Sequence, residues 1–175
     1  MKSILITGAA SGIGAATAKK LASKDVSLTL TTKSNLDGLK SVRQFAENKG
    51  AKVSYVCGDL SEKKFLEELV NLARNSTGNI DQFISNAGYA DKKEFGEFNN
   101  EDLNRSVQTM AISFSEMINL CIEDFKKSSC GRIIVISSFV NKSIGLNNKL
   151  FPITAAAKGA LEALTKTLSF QLARH

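Results

Sequence analysis

Short apolar runs rich in β-branched residues alternate with longer amphipathic stretches along the whole chain. The short runs predict strands and the longer stretches predict helices. Strands separated by helices cannot pair as hairpins, so they pair in parallel through right-handed crossovers, with helices on both faces of the sheet. The sequence therefore predicts a doubly wound α/β fold. We expect strands near 2–7, 26–32, 52–58, 80–85 and 131–137, and helices near 12–24, 35–49, 61–76, 100–127 and 153–173.

The composition fits one folded domain over residues 1–175. Hydrophobic residues make up 43% of the 175 residues, and a single proline argues against linkers. The net charge of +6 comes from scattered lysine pairs without interleaved aromatic residues. The sequence therefore does not indicate nucleic-acid binding, whereas a small anionic ligand fits the charge.

The sequence gives no sign of a membrane segment or a metal site. The first apolar run, Ile4 to Ile6, is far too short for a signal-peptide core or a membrane span. Cys57, Cys121 and Cys130 are odd in number, widely separated and without metal-ligand spacing. We therefore expect neither a disulfide framework nor a bound metal, and we expect a cytoplasmic location.

A glycine-rich turn, Thr7-Gly8-Ala9-Ala10-Ser11-Gly12-Ile13-Gly14, lies between the first strand and the first helix. Gly8 permits a tight turn, Gly12 lets the backbone approach a pyrophosphate, and Gly14 lets helix and strand pack closely. The helix N-terminus adds free N–H groups and a positive dipole. The turn predicts a dinucleotide site, although three glycines alone are also compatible with a plain strand-to-helix turn.

The spacing Gly-x-x-x-Gly-x-Gly resembles that of the short-chain dehydrogenase/reductase family, in particular its classical carbonyl and 3-oxoacyl reductases. Four more segments resemble family motifs in order: Cys57-Gly58-Asp59-Leu60-Ser61, Asn86-Ala87-Gly88, Gly131 to Ser138 and Ala155 to Leu161. The resemblance implies a Rossmann-type fold and catalytic roles for Ser138 and Lys158. The cofactor-binding residues that it implies are Gly8, Ser11, Gly12, Ile13, Gly14, Thr32, Lys33, Ser34, Asp59, Leu60, Asn86, Ala87, Gly88 and Lys158.

Each single match also has a purely structural interpretation. Asp59 is suited to cap the helix beginning near Ser61, and Asn86 is suited to a turn. Ser138 is compatible with a plain hydroxyl at a strand end, and Lys158 with a lysine on a helix surface.

The residues after the second strand bear on the choice of cofactor. Thr32-Lys33-Ser34 contains no carboxylate to bind the adenosine ribose hydroxyls of NAD, whereas a cation there suits the 2′-phosphate of NADP. The sequence therefore favours NADP, with NAD as the alternative.

The catalytic set implied by the resemblance is incomplete. The family carries a tyrosine general acid four residues before its lysine, and here that position is Thr154. An aliphatic hydroxyl ionises too weakly to replace a phenol, and neither Tyr55 nor Tyr89 aligns with the position. Met110 stands where many members carry asparagine, and the segment 139–153 is longer than usual. We therefore expect weakened or lost oxidoreductase activity on a small-molecule carbonyl or hydroxyl substrate.

Two alternatives stay open. The first is activity by another route that uses Ser138, Lys158 and a proton from substrate or water. The second is a non-catalytic interaction or regulatory protein that self-associates through helices 100–127 and 153–173, whose apolar positions alternatively cover the sheet. The sequence ends at His175, about where the family's fifth helix ends, so the resemblance implies that the last strands and the substrate lid are missing.

Overall fold

Five parallel strands form one sheet in the computed structural model, which describes residues 1–145 and 149–175. The strands are β1 Lys2–Thr7, β2 Val26–Thr32, β3 Lys52–Cys57, β4 Gln82–Ser85 and β5 Arg132–Val135. Their order across the sheet is β3-β2-β1-β4-β5. Every neighbouring pair is parallel. This arrangement confirms the predicted doubly wound α/β fold, although β4 and β5 are shorter than expected.

The helices follow the predicted order. They are α1 Gly12–Leu21, α2 Leu36–Asn48, α3 Lys63–Thr77, α4 Asn100–Val107, α5 Ser113–Lys127 and α6 Pro152–Leu172. The single helix expected at 100–127 is interrupted by a π-helical turn, Gln108–Ile112, between α4 and α5. A short 3₁₀ turn spans Phe139–Asn141 in the long segment before α6, and residues 146–148 of that segment lie outside the described residues. Among the described helices, none is both long and apolar enough to cross a bilayer.

The central strands β1 and β2 are buried on both faces, as the strands of a parallel sheet usually are, whereas β5 at one edge of the sheet leaves Ile134 47% exposed. Successive side chains of a strand point to opposite faces, so β1 contributes to two separate cores. Ile4 and Ile6 pack with residues of α1, α2 and β2 on one side. Leu5 packs with residues of α3, α5 and α6 on the other side. The buried faces of α1, α2, α3, α5 and α6 thereby pack in the two cores that flank the sheet.

Most apolar positions of the two helices considered for self-association lie in the core. Met110, Phe114, Met117, Ile118, Cys121 and Phe125 are all buried. The sheet-covering interpretation is therefore confirmed for these residues. On α6, Ala163 and Leu164 are exposed. Self-association stays a prediction.

Candidate functional site

The sheet order reverses between β1 and β4, because the chain runs outward from β1 to β3 and then returns to start β4. Doubly wound proteins bind ligands in the crevice at such a point, outside the carboxyl ends of the strands. The Thr7 hydroxyl accepts hydrogen bonds from the N–H groups of Asn86 and Ala87, both at 3.1 Å. The Asn86 side chain donates to the carbonyls of Thr7 and Gly8, both at 3.0 Å. These bonds fasten the turn after β4 to the glycine-rich turn after β1.

The three glycines of the turn serve different needs. Gly8 has a φ of +64°, and a Cβ there would lie 2.9 Å from the Cα of Ala87. A Cβ on Gly14 would lie only 2.3 Å from the carbonyl oxygen of Gly8. Gly12 has a φ of +53°, yet no described atom would lie within 4 Å of its Cβ. Gly8 and Gly14 are thus required for packing within the protein, whereas Gly12 faces open space where a ligand can approach.

The first turn of α1 is suited to an anionic ligand. Ser11 precedes the helix, and among the described residues its side chain makes no capping hydrogen bond. The first turn, Gly12 to Ala15, carries no acidic side chain. The leading backbone N–H groups and the positive end of the helix dipole therefore remain available for an external acceptor. These features fit the pyrophosphate of a dinucleotide.

One half of the crevice is a cavity of about 390 Å³ between the ends of β2, β3 and β4 and the helix α4. Its lining comprises Gly8, Thr31, Thr32, Lys33, Gly58, Asp59, Leu60, Ala87, Gly88, Tyr89, Arg105 and Thr109. Seven of the predicted cofactor residues are in this set. The structure therefore brings together segments that lie far apart in the sequence.

Lys33 and Asp59 form an ion pair in this cavity, with 2.6 Å between Nζ and Oδ2. The hydrogen bond between them raises the pKa of Lys33 and lowers the pKa of Asp59. The other carboxylate oxygen of Asp59 accepts from the backbone N–H of Ser61 at 3.0 Å. Asp59 therefore does stabilise the turn before α3, although the helix itself begins after Glu62. Asp59 therefore both stabilises this turn and lines the cavity.

The other half of the crevice is a cavity of about 340 Å³ that adjoins the first at Gly88 and Tyr89. It is lined by Ser11, Ile13, Asn86, Gly88, Tyr89, Ala90, Ile136, Ser137, Ser138, Thr154 and Lys158. The structure thus brings the catalytic candidates Ser138 and Lys158 into one cavity with Thr154, which stands at the position of the missing tyrosine. The Ser138 hydroxyl also accepts a long hydrogen bond, 3.4 Å, from the N–H of Val140.

Lys158 is only 6% exposed, so the interpretation as a lysine on the helix surface is wrong. Its ammonium donates to the carbonyl of Ile136 at 2.7 Å. A Cβ on Gly88 would lie 3.2 Å from Lys158 Nζ, so the turn after β4 passes directly beside the ammonium. Burial lowers the pKa of Lys158 below its ordinary 10.5.

This depressed pKa predicts a particular pH dependence of stability. Between the folded-state pKa and 10.5 the unfolded state holds the proton more tightly, so the contribution of Lys158 to the free energy of unfolding increases with pH. In urea unfolding, the stability of the wild type relative to Lys158→Met should increase as pH rises toward 10.5. Lys166→Met, on the exposed side of the same helix, is the matched control and should show no such trend. Identical pH profiles for wild type and Lys158→Met would contradict the prediction.

Thr154 is 4% exposed, and its hydroxyl accepts a hydrogen bond of 2.9 Å from the N–H of Asp91. The hydroxyl therefore holds the segment after β4 against α6.

Tyr89 lines the crevice, but its hydroxyl oxygen accepts a hydrogen bond from the Ser106 hydroxyl of α4 at 3.0 Å. The Tyr55 hydroxyl accepts a hydrogen bond of 3.4 Å from Nη1 of Arg43, and this bond links β3 to α2. Among the described residues, neither tyrosine is hydrogen-bonded to Ser138 or Lys158.

Some residues differ from their expected placement. Ser34 is exposed and lines neither half of the crevice as described. Conversely, the cavity that contains Lys33 and Asp59 is also lined by three residues that the motifs did not indicate, Tyr89, Arg105 and Thr109. The four-residue spacing of Arg105 and Thr109, which predicts that they share a face of the helix expected at 100–127, is the only sequence signal for the last two. A further cavity of about 380 Å³ lies beside Gly131 and Arg132, at the amino end of β5, and the described lining includes none of the predicted site residues.

The fold and the crevice define a Rossmann-type protein with a site for a dinucleotide. The family model described as short chain dehydrogenase matches residues 2–175, so the chain belongs to the short chain dehydrogenase family. General stress protein 39 of Bacillus subtilis is 29% identical over 99% of this chain and 59% of its own length. The NADPH-dependent reductase BacG of the same organism is 28% identical over 99% of this chain and 66% of its own length.

Solved structures show the same similarity. The alcohol dehydrogenase of Thermococcus sibiricus, complexed with 5-hydroxy-NADP, has a TM-score of 0.87 at 25% identity and is matched over 98% of this chain and 71% of that chain. The L-sorbose reductase of Gluconobacter frateurii, complexed with NADPH and L-sorbose, has a TM-score of 0.89 at 25% identity, over 99% of this chain and 65% of that chain. The chain thus spans about three fifths to two thirds of the length of the two Bacillus subtilis relatives.

Proposed function

We propose that this chain binds NADP(H) in the crevice and is an oxidoreductase of the short-chain type whose hydride-transfer activity is weakened or lost. The observation that carries the proposal is the composition of the two adjoining cavities. They unite the glycine-rich turn, Lys33, Ser138 and Lys158, while Thr154 occupies the position of the proton donor. The NADP-type ligands named for the two structural neighbours and the NADPH-dependent relative support the choice of cofactor.

When bound, the cofactor supplies the hydride. The N-terminus of α1 would hold its pyrophosphate, and Lys33 its 2′-phosphate. Lys158, whose ammonium lies beside Gly88, would hold ribose hydroxyls, and Ser138 would donate a hydrogen bond to a carbonyl oxygen. The hydroxyl of Thr154 is far less acidic than the phenol of a tyrosine, so Thr154 cannot deliver the proton that carbonyl reduction needs.

The substrate that we propose is a small carbonyl compound or alcohol. An apolar cavity of about 300 Å³, with Phe95, Phe139 and Phe151 among its lining residues, lies next to the segments that carry Ser138 and Thr154. A cytoplasmic location remains a proposal, supported by three cysteines that are unpaired in the described structure.

The cofactor preference predicts a selective loss in Lys33→Ala. Removal of the ammonium should weaken NADPH binding by about tenfold, since a charge-assisted contact to phosphate is lost, and should change NADH binding by less than about threefold. Calorimetric titration with both cofactors measures the two affinities. Lys40→Ala, an exposed lysine of α2, is the control and should change neither affinity. Equal losses for NADPH and NADH would contradict the assignment of Lys33 to the 2′-phosphate.

A further inference from the structure

We propose that Arg105 of α4 is a second residue that determines cofactor specificity, acting with Lys33 as a cation for the 2′-phosphate of NADP(H). The proposal rests on the proposed function and extends it to a helix that the sequence motifs did not indicate. Both side chains line the adenosine-side cavity, Lys33 from the turn after β2 and Arg105 from α4.

The charges of the cavity show why Lys33 alone is insufficient. Three of its described lining residues are charged: Lys33, Asp59 and Arg105. Lys33 and Asp59 neutralise each other through their 2.6 Å ion pair. A phosphate monoester carries about −1.5 to −2 charges at neutral pH, so it needs more positive charge than a neutral pair provides. Arg105 is the lining residue that supplies it.

Arg105 is held in position by a fixed carboxylate. Its Nη2 lies 2.7 Å from Oδ1 of Asp102. Asp102 is buried and forms a capping box with Asn99, whose side chain accepts from the Asp102 N–H at 3.0 Å. Oδ2 of Asp102 also lies 2.6 Å from Nζ of Lys93. Because Lys93 already balances the charge of Asp102, the guanidinium keeps its net positive charge toward the cavity.

The two cations line the same cavity. Asp59 raises the pKa of Lys33, and the charge of Arg105 acts in the opposite direction. A dianion between them would relieve this repulsion and would compete with Asp59 for the Lys33 ammonium. The planar guanidinium presents five N–H donors, so its contacts with Asp102 and Tyr89 leave others for phosphate oxygens.

The test uses two probes without nicotinamide, adenosine 2′,5′-bisphosphate and 5′-AMP, which differ only in the 2′-phosphate. Calorimetry should show that the wild type binds the bisphosphate more tightly than 5′-AMP. Arg105→Ala should weaken bisphosphate binding by about fivefold to tenfold and leave 5′-AMP within about twofold. Arg43→Ala is the control, because Arg43 is bonded to Glu47 on α2 and does not line the cavity as described. Asp102→Asn, which keeps a side chain able to cap the helix, should cause a smaller selective loss because it releases the guanidinium.

The outcomes separate this inference from the proposed function. Equal losses for both probes in Arg105→Ala would place the guanidinium on the adenine and overturn the inference. Unchanged bisphosphate binding in both Arg105→Ala and Asp102→Asn would overturn it as well. In either case a wild type that prefers the bisphosphate would leave the proposed function intact. A wild type that binds neither probe nor NADPH would overturn both.

Discussion

Thr154→Tyr is expected to raise NADPH-dependent carbonyl reduction by about 10² to 10⁴-fold, which is the usual contribution of a positioned general acid. Thr154 lines the same cavity as Ser138 and Lys158. A phenol at this position has a pKa near 10 that a neighbouring ammonium can lower toward neutrality. The measurement is the rate of NADPH consumption with an activated 1,2-diketone. Such a small, reactive carbonyl compound needs few specific contacts with a substrate pocket.

The controls separate proton transfer from changes in shape. Thr154→Phe introduces a similar ring without a hydroxyl and should not gain activity. Thr154→Val loses the hydrogen bond to Asp91 and should destabilise the protein by about 1 kcal/mol without changing the rate. Equal gains in the tyrosine and phenylalanine variants would contradict the proton-donor account. A rate below that of the wild type in Thr154→Tyr would instead favour a route through Ser138, Lys158 and a proton from substrate or water.

Gly14→Ala should mainly lower the stability of the protein, whereas Gly12→Ala should mainly lower its affinity for NADPH. The Cβ of Gly14→Ala would meet the Gly8 carbonyl oxygen at 2.3 Å, so the strand and helix must separate. We expect a loss of about 2–3 kcal/mol of stability. Gly12→Ala meets no described atom within 4 Å and should cost only about 1 kcal/mol, from its φ of +53°. Its Cβ, however, enters the space of the pyrophosphate, so NADPH affinity should fall at least about 30-fold, or about 2 kcal/mol.

Urea unfolding and NADPH titration of the two variants measure both quantities. A Gly12→Ala variant that binds NADPH as the wild type does would show that no phosphate approaches this backbone. A Gly14→Ala variant of unchanged stability would contradict the packing role of Gly14. Gly78→Ala provides a control for positive φ alone, because Gly78 follows α3 with a φ of +84° and has no described neighbour within 4 Å of its Cβ.

The fold was predictable because its strands are apolar runs bounded by helices, and parallel pairing is then the available solution. The π-helical turn at Gln108–Ile112 was not predictable, since one extra residue per turn barely changes the apolar periodicity of the helix. The short β5 also differs from expectation. Residues after Val135 leave the strand, although the N–H of Ile136 still bonds to the Ser85 carbonyl.

The site was predictable where local backbone geometry requires a particular residue type, as at Gly8 and Gly14. Its side-chain contacts were not predictable, because they join residues distant in the sequence. Lys33 pairs with Asp59 across two neighbouring strands, and Thr154 bonds to Asp91 across 63 positions. Arg105 reaches the cavity only because α4 packs beside the carboxyl ends of the strands. Such contacts follow from tertiary structure rather than from any motif.

The crevice should bind NADP(H) although the proton donor is absent. The decisive experiment is a titration of the wild-type protein with NADPH, followed by nicotinamide fluorescence. We expect a saturable change in fluorescence that excess adenosine 2′,5′-bisphosphate reverses. A signal that remains unsaturated at millimolar NADPH, or that the bisphosphate fails to displace, would contradict it.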